Sequence, residues 1–298
     1  YHQLSQLQLN KNTELVVLPE TFIVAQEGYD VNEANFKDAP EVNNLIQVMK
    51  IYFPKASILT GGCTYHEFLP GEEKTVTARK WGNSINEYDS YNTAIYIDTL
   101  KNMTLYHKSK LVPGVERMPY PGFFKYFEKY AIALGGTSGS LATQKERTVF
   151  RDNVYGINLA PSICYESIYG NFMSEYMSKG AQVIAIITND GWWGNTPGHK
   201  QHLSYAKLRA IETRKQVIRC ANTGISGFID EFGNINQPQP YDTFAVINAD
   251  VSLNSSKTFF VRFGDLISYL SIFLAIGSII FARLKRRVGL VEAELKDR

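Results

Sequence analysis

The chain has 298 residues, 44% of them hydrophobic, which is enough for one large core. Its 31 Lys and Arg against 29 Asp and Glu leave a formal net charge of +2, excluding the strong basic bias of a nucleic-acid binder. Three scattered cysteines (Cys63, Cys164 and Cys220) exclude a disulfide scaffold, and none stands in the C-x-x-C spacing of a structural zinc site.

YHQLSQLQLNKN at the start is polar and reads as the end of an amphipathic helix, with no signal-peptide core. ELVVLPE (14–20) and SILTGGC (57–63) are short apolar runs, and 36–52 between them has helical spacing. NTAIYID (92–98) and MTLYHKS (103–109) flank TLKN and predict a hairpin. VYGINLAPSICYE (154–166), AQVIAIITND (181–190), QVIRCAN (216–222), SGFID (226–230) and FAVINAD (244–250) continue the strand series. Helical patterns at about 122–132, at 168–179 and at 201–214 lie among them, so strands alternate with helices in an α/β layered domain with mixed sheets. Residues 66–90 and 112–145 are rich in polar, Pro and Gly residues and read as long surface loops.

LISYLSIFLAIGSIIFA (266–282) carries no charge. At about 1.5 Å per residue it reaches ~26 Å, enough to cross a thin or average hydrocarbon core. RLKRR follows at once, so Arg283, Lys285, Arg286 and Arg287 place that end in the cytoplasm. The body of the chain then belongs on the other side. A body outside the cytoplasm without an export signal or an initiator Met predicts that this is the C-terminal part of a longer protein.

Three runs end in reactive side chains. VVLPE delivers Glu20, LYHKSK delivers Lys108 or Lys110, and PSICYE delivers Cys164. Catalytic groups gather where the strands of α/β sheets end. A thiol needs a base before it attacks, a carboxylate can take that proton, and an ammonium can stabilise a thiolate or an oxyanion. Each residue alone is ordinary; the set and its order carry the argument. Cys63 and Cys220 read as buried small residues. His199 and His202 predict an exposed or capping role rather than metal ligation, and Asn189 and Asp190 either end a strand and turn the chain or position the active-site loop.

Glu, Lys and Cys in this order at strand ends resemble the nitrilase (carbon–nitrogen hydrolase) superfamily. The finer resemblance is to the apolipoprotein N-acyltransferases. It rests on LPETF (18–22), YHKSKLVPGVERMPY (106–120), SICYES (162–167) and the long segment ITNDGWWGNTPGHKQHLSYAKLRAIETRKQVIRCANTGISGFID (187–230). It runs from about residue 14 to the end and implies a four-layer α-β-β-α sandwich over 1–260, a transmembrane helix over 261–284 and a cytoplasmic tail over 285–298. Carried over, Glu20 is the general base, Cys164 the nucleophile and Lys108 the catalytic lysine, in the pattern K-x-x-L-V-P. Glu116 matches the family's P-x-G-E glutamate, with the Gly displaced in PGVE. Glu166 matches the acid two residues after the cysteine, and the backbone N–H of Tyr165 is a candidate oxyanion donor. Trp192, Trp193 and Gly194 match a tryptophan–glycine loop beside the site.

The resemblance implies no cofactor and no metal. It implies an acyl transfer from a phospholipid, typically phosphatidylethanolamine, through a Cys164 thioester to the α-amino group of the diacylglyceryl cysteine of an apolipoprotein. The expected setting is the bacterial inner membrane, with a monomer whose catalytic domain faces the periplasm. The aromatic loop PYPGFFKYF (119–127) either dips into the membrane interface or packs on the domain. Residues 1–9 match the family's first helix, so a preceding strand and membrane bundle are expected upstream. Two rivals remain: a nitrilase-fold amidase that uses water as acceptor, and an inactive membrane-tethered fragment.

Overall fold

The computed structural model describes residues 10–24, 30–80, 85–116 and 141–296. The expected helices over 1–9 and 122–132 and the loop 119–127 lie outside them.

Among the described residues, twelve strands form two six-stranded sheets. The first contains β1 (Leu15–Val17), β2 (Val31–Asn32), β3 (Ser57–Glu67), β4 (Arg79–Lys80), β5 (Glu87–Ile97) and β6 (Met103–His107). β1 runs parallel to β3, while β3, β5 and β6 are antiparallel, the last two as the expected hairpin. The second contains β7 (Phe150–Asp152), β8 (Ile157–Ile163), β9 (Val183–Thr188), β10 (Val217–Ala221), β11 (Ser226–Ile229) and β12 (Ile235–Gln239). Its centre, β8-β9-β10, is parallel. β9 is buried at every position, as expected for a strand covered on both faces.

Two-residue periodicity sorts the first sheet into its two faces. Ile58, Ile95 and Ile97 point outward onto α1 (Pro40–Tyr52). α1 meets them with Val42, Leu45, Ile46 and Met49, the i, i+3, i+4, i+7 stripe of an amphipathic helix. Each such burial stabilises by about 1.5–3 kcal/mol. Leu59, Ala94 and Tyr96 point inward and join Phe150, Leu159, Ala160 and Ile186 of the second sheet. Beyond that sheet lie α2 (Gly170–Ser178) and α3 (Pro197–Thr213), which bury Phe172, Met173, Tyr176, Ala206 and Ala210. The four layers are the expected α-β-β-α sandwich. Buried Asp152 joins the sheets by accepting hydrogen bonds from Ser57 Oγ (2.5 Å) and Tyr96 Oη (2.6 Å).

Two strand expectations shift. β3 and β5 extend into 66–90, so the loop between them is shorter than its composition suggests. FAVINAD forms no strand: Phe244 is 99% exposed and the segment has no ladder partner. The last strand is β12 instead, whose side chains are mostly polar. It is recruited by a tight turn in which Asp230 Oδ1 accepts from the backbone N–H groups of Phe232 and Asn234.

The chain then crosses α2 and α3, with Lys215 Nζ donating to Ser256 O (2.5 Å) and Thr258 Oγ1 to Glu212 O (2.6 Å). After the short α4 (Phe259–Phe263), α5 runs unbroken over Leu266–Lys296. Its Leu266–Arg287 stretch, of mean hydropathy 1.9 and not buried against the body, is long and apolar enough to cross a membrane.

Candidate active site

Glu20 follows β1 where the chain crosses over β3. Gly61 N donates to Pro19 O (3.0 Å), and Gly61 O accepts from Phe22 N and Ile23 N. The approach is so close that a Cβ on Gly61 would lie 2.1 Å from the Glu20 carbonyl oxygen. Glycine is therefore required here for space. The crossing buries Glu20 to 4% exposure and turns its carboxylate into the interior.

Lys108 follows β6, with its backbone N–H on Asn92 O (2.8 Å). Its Nζ donates to Glu20 Oε1 (3.0 Å) and Glu116 Oε1 (2.7 Å). Burial works against the ammonium, but the charges of Glu20 and Glu116 outweigh it and hold Lys108 well above its ordinary value. Asn92, which the sequence reading did not single out, donates through Nδ2 to both Glu20 (2.8 Å) and Glu116 (3.1 Å). The second oxygens are also held, Glu20 Oε2 by Asn189 N (2.7 Å) and Glu116 Oε2 by Val112 N (2.8 Å). Of the two candidate lysines, the structure brings Lys108 together with Glu20. Lys110 Nζ lies over the rings of Tyr169 and Phe172, away from this cluster.

Cys164 ends β8 in a left-handed conformation, φ +50°. For a residue with a Cβ this stores roughly 1–3 kcal/mol of strain, typical of a functional turn. Burial pushes the thiol up to about 12; the charge of Glu20 adds to the rise, and Lys108 and a hydrogen bond from Thr188 oppose it. The resting sulfur is thus protonated and needs a base at the moment of attack.

Glu166, two residues on, is buried and ties the cysteine turn to the lysine strand. Its Oε1 accepts from Tyr106 Oη (2.6 Å) and Ser109 N (2.6 Å), and its Oε2 from Ile163 N (2.8 Å). Burial outweighs those donors and raises its carboxyl to about 7. Tyr165 sits beside Cys164 with its ring edge-on to Tyr169. Trp193 stands edge-on to His202, ring centroids 5.3 Å apart, while Trp192 is exposed.

Three expectations are corrected. Cys63 is exposed rather than buried, opposite Asn92 in the β3–β5 register. His199 and His202 are 1% and 3% exposed, not surface or capping residues. His202 is drawn inside by polar partners, Asp190 Oδ1 at 2.8 Å from Nδ1 and Cys164 O at 3.0 Å from Nε2. Asp190 and Asn189 do follow β9 and turn the chain, Asn189 Oδ1 accepting from Gly191 N. One ligand atom each from Cys164, Asp190 and His202 lies within 4.8 Å of the others, a spacing that suits a metal. In this structure both His202 nitrogens and both Asp190 oxygens are engaged by protein groups.

A profile of the carbon-nitrogen hydrolases matches residues 2–259. The chain belongs to the carbon-nitrogen hydrolase family. Among curated relatives, the apolipoprotein N-acyltransferase of Chlorobaculum tepidum is 35% identical over 206 residues, 67% of this chain and 38% of its own length. That of Thermotoga maritima is 30% identical over 200 residues, 66% of this chain and 38% of its own. That of Agrobacterium fabrum is 36% identical over 171 residues, 57% and 31%. The chain thus spans less than two fifths of the length of these relatives. A CN-hydrolase superfamily protein from Xanthomonas campestris, solved with an arsenic adduct in its active site, superimposes with a TM-score of 0.52 at 16% identity. That match covers 82% of this chain and 80% of the other, and it carries the fold alone.

Proposed function

We propose that this carbon-nitrogen hydrolase domain performs the chemistry of an apolipoprotein N-acyltransferase, with Glu20, Lys108 and Cys164 as its catalytic residues. The observation that carries the reading is the buried Glu20–Lys108 pair, 3.0 Å apart and in electrostatic contact with a protonated, strained Cys164. The relatives' names supply the reaction class.

In the first half-reaction the Cys164 thiol gives its proton to Glu20 as sulfur attacks the carbonyl carbon of a phospholipid ester. Lys108, with the Tyr165 backbone N–H, stabilises the oxyanion. The carbon–oxygen bond breaks, Glu20 returns the proton to the departing glycerol oxygen, and a lysophospholipid leaves behind a thioester. In the second, the α-amino group of a diacylglyceryl cysteine attacks the thioester. Its proton passes through Glu20 to the Cys164 sulfur as the amide forms. Glu116 holds Lys108 from the other side, and Asn92 donates to both carboxylates, so the pair is fixed in place. Glu166 and Trp193 support the turns that carry the site. We further propose that α5 is a single span with the basic end in the cytoplasm. The catalytic body then faces the periplasm of a bacterial inner membrane, as a monomer.

Intact-mass spectrometry after incubation of the detergent-solubilised protein with phosphatidylethanolamine tests this. The expected result is a mass gain of one acyl group, absent in Cys164→Ala and released by hydroxylamine. No adduct on the folded protein, with turnover of small amides instead, would replace the phospholipid donor by an amidase reading.

A further inference from the structure

Behind Cys164 lies a second polar cluster that the acyl-transfer steps above do not use. Three consecutive parallel strands end beside it: β8 delivers Cys164, β9 is followed by Asp190, and β10 contributes Arg219. α3 adds His202. Arg219 and Asp190 are buried and joined, Nη2 to Oδ2, at 2.8 Å. Thr188 Oγ1 donates to Asp190 Oδ1 (2.9 Å), and Arg219 Nη1 to Ile225 O (2.7 Å). Arg219 Nη2 also approaches His202 Nδ1 at 3.2 Å, but Asp190 is its closer partner. The ring of Trp193 closes the other side.

The contact that matters is to the nucleophile's own backbone. Cys164 O accepts from Ser167 Oγ (2.8 Å) and faces His202 Nε2 at 3.0 Å. A carbonyl only accepts, so Nε2 carries the hydrogen between them. Ser167 Oγ lies 3.0 Å from the same nitrogen, and Nδ1 sits between Asp190 Oδ1 and Arg219 Nη2, which fix the orientation of the ring. A base for the thiol would need a free lone pair at Nε2, and that nitrogen is committed as a donor. Meanwhile Cys164 sits at φ +50°, which a side-chain-bearing residue holds only if its surroundings insist.

We propose that His202, oriented by Asp190 and Arg219, is a positioning residue that clamps the Cys164 carbonyl and so holds the nucleophile in its left-handed turn. It is not the base. Losing the Nε2 donor lets Cys164 relax toward ordinary backbone and carries its sulfur away from Glu20 and Lys108. The inference rests on Cys164 being the nucleophile, and its test separates the two claims.

The test compares His202→Gln with His202→Asn in the whole protein. Glutamine places an N–H where Nε2 stands and cannot act as a base; asparagine reaches only the Nδ1 position. Both keep a polar group in the cavity, and thermal unfolding confirms that each is folded. Iodoacetamide labelling of Cys164, read by peptide mapping with Cys63 and Cys220 as internal references, needs no assumption about the lipid. Acylation by phosphatidylethanolamine is followed alongside. We expect His202→Gln to stay within about fivefold of the parent and His202→Asn to fall about 100-fold, the usual cost of a misplaced reacting group. Equal rates in the two variants, whether both fast or both slow, overturn the clamp. A parent protein in which neither iodoacetamide nor phosphatidylethanolamine modifies Cys164 overturns the nucleophile assignment itself, and the clamp with it.

Discussion

Lys108 Nζ lies 3.0 Å from Glu20 Oε1 and 2.7 Å from Glu116 Oε1, so one buried ammonium bridges two carboxylates. Removing it leaves those carboxylates facing each other without a cation. Lys108→Met is expected to destabilise the fold by about 3–5 kcal/mol, the usual cost of orphaning buried charge, and to abolish acylation. Lys108→Arg should fail to restore activity, because a planar guanidinium cannot replace a compact ammonium between two carboxylates. Denaturant midpoints and the thioester assay read the two effects separately.

Glu20→Gln separates charge from shape. The amide keeps an acceptor oxygen for Asn189 N or for Lys108 but cannot take a proton. The domain should stay folded while acylation falls by about 10²–10⁴-fold, the usual share of a general base. A variant with near-parental acylation would remove Glu20 from the mechanism.

The pH dependence follows from the raised thiol. A group with its titration near 12 is protonated throughout the working range, so its thiolate fraction rises with every unit of pH below that value. Iodoacetamide labelling of Cys164 should therefore climb about tenfold per unit from pH 7 to pH 10, with no plateau near the ordinary thiol value of 9.0. A plateau below pH 9 would mean a stabilised thiolate and would move Lys108 from oxyanion to thiolate partner.

Among the described glycines, Gly61 leaves the least room for an added methyl. Its Cβ would lie 2.1 Å from the Glu20 carbonyl oxygen, a backbone atom with no rotamer to give way. Gly61→Ala is expected to cost at least about 1–3 kcal/mol and to displace Glu20 from its partners. The signature is a loss of acylation larger than the drop in stability explains, measured as rate against unfolding midpoint.

Much of this site was legible because reactive residues stood at the ends of apolar runs. Glu20, Lys108 and Cys164 each close such a run; Glu20 and Lys108 come from the first sheet and Cys164 from the second. FAVINAD misled because its apolar residues suggest a strand, while in the fold it pairs with none of the described strands. β12 was hidden for the opposite reason: pairing set by the Asp230 turn outweighs its weak composition. Asn92 was invisible as a site residue, since a polar side chain in a strand usually faces water. Arg219 did leave a signal. A charge inside the apolar parallel run VIRCA must be buried, and a buried guanidinium demands an acid; Asp190 is that acid. His202 could not be placed without knowing that α3 packs over the end of β8.

Asp190 gives the last expectation a pH window. Burial alone would raise its carboxyl, but the hydrogen bond from His202 and the charge of Arg219 outweigh burial and bring it down to about 2, from an ordinary 3.8. A depressed carboxyl stabilises the folded state above the unfolded value and loses that contribution as pH falls through the folded one. The full contribution, about 2 kcal/mol, is present above pH ~5 and fades between about pH 4 and pH 2. Asp190→Asn lacks this titration. The stability gap between the parent and Asp190→Asn should therefore narrow by about 1 kcal/mol between pH 5 and pH 3, read from urea unfolding at each pH. A gap that stays constant would mean that Asp190 does not titrate in this window, and that the Arg219–Asp190–His202 cluster is not held by charge.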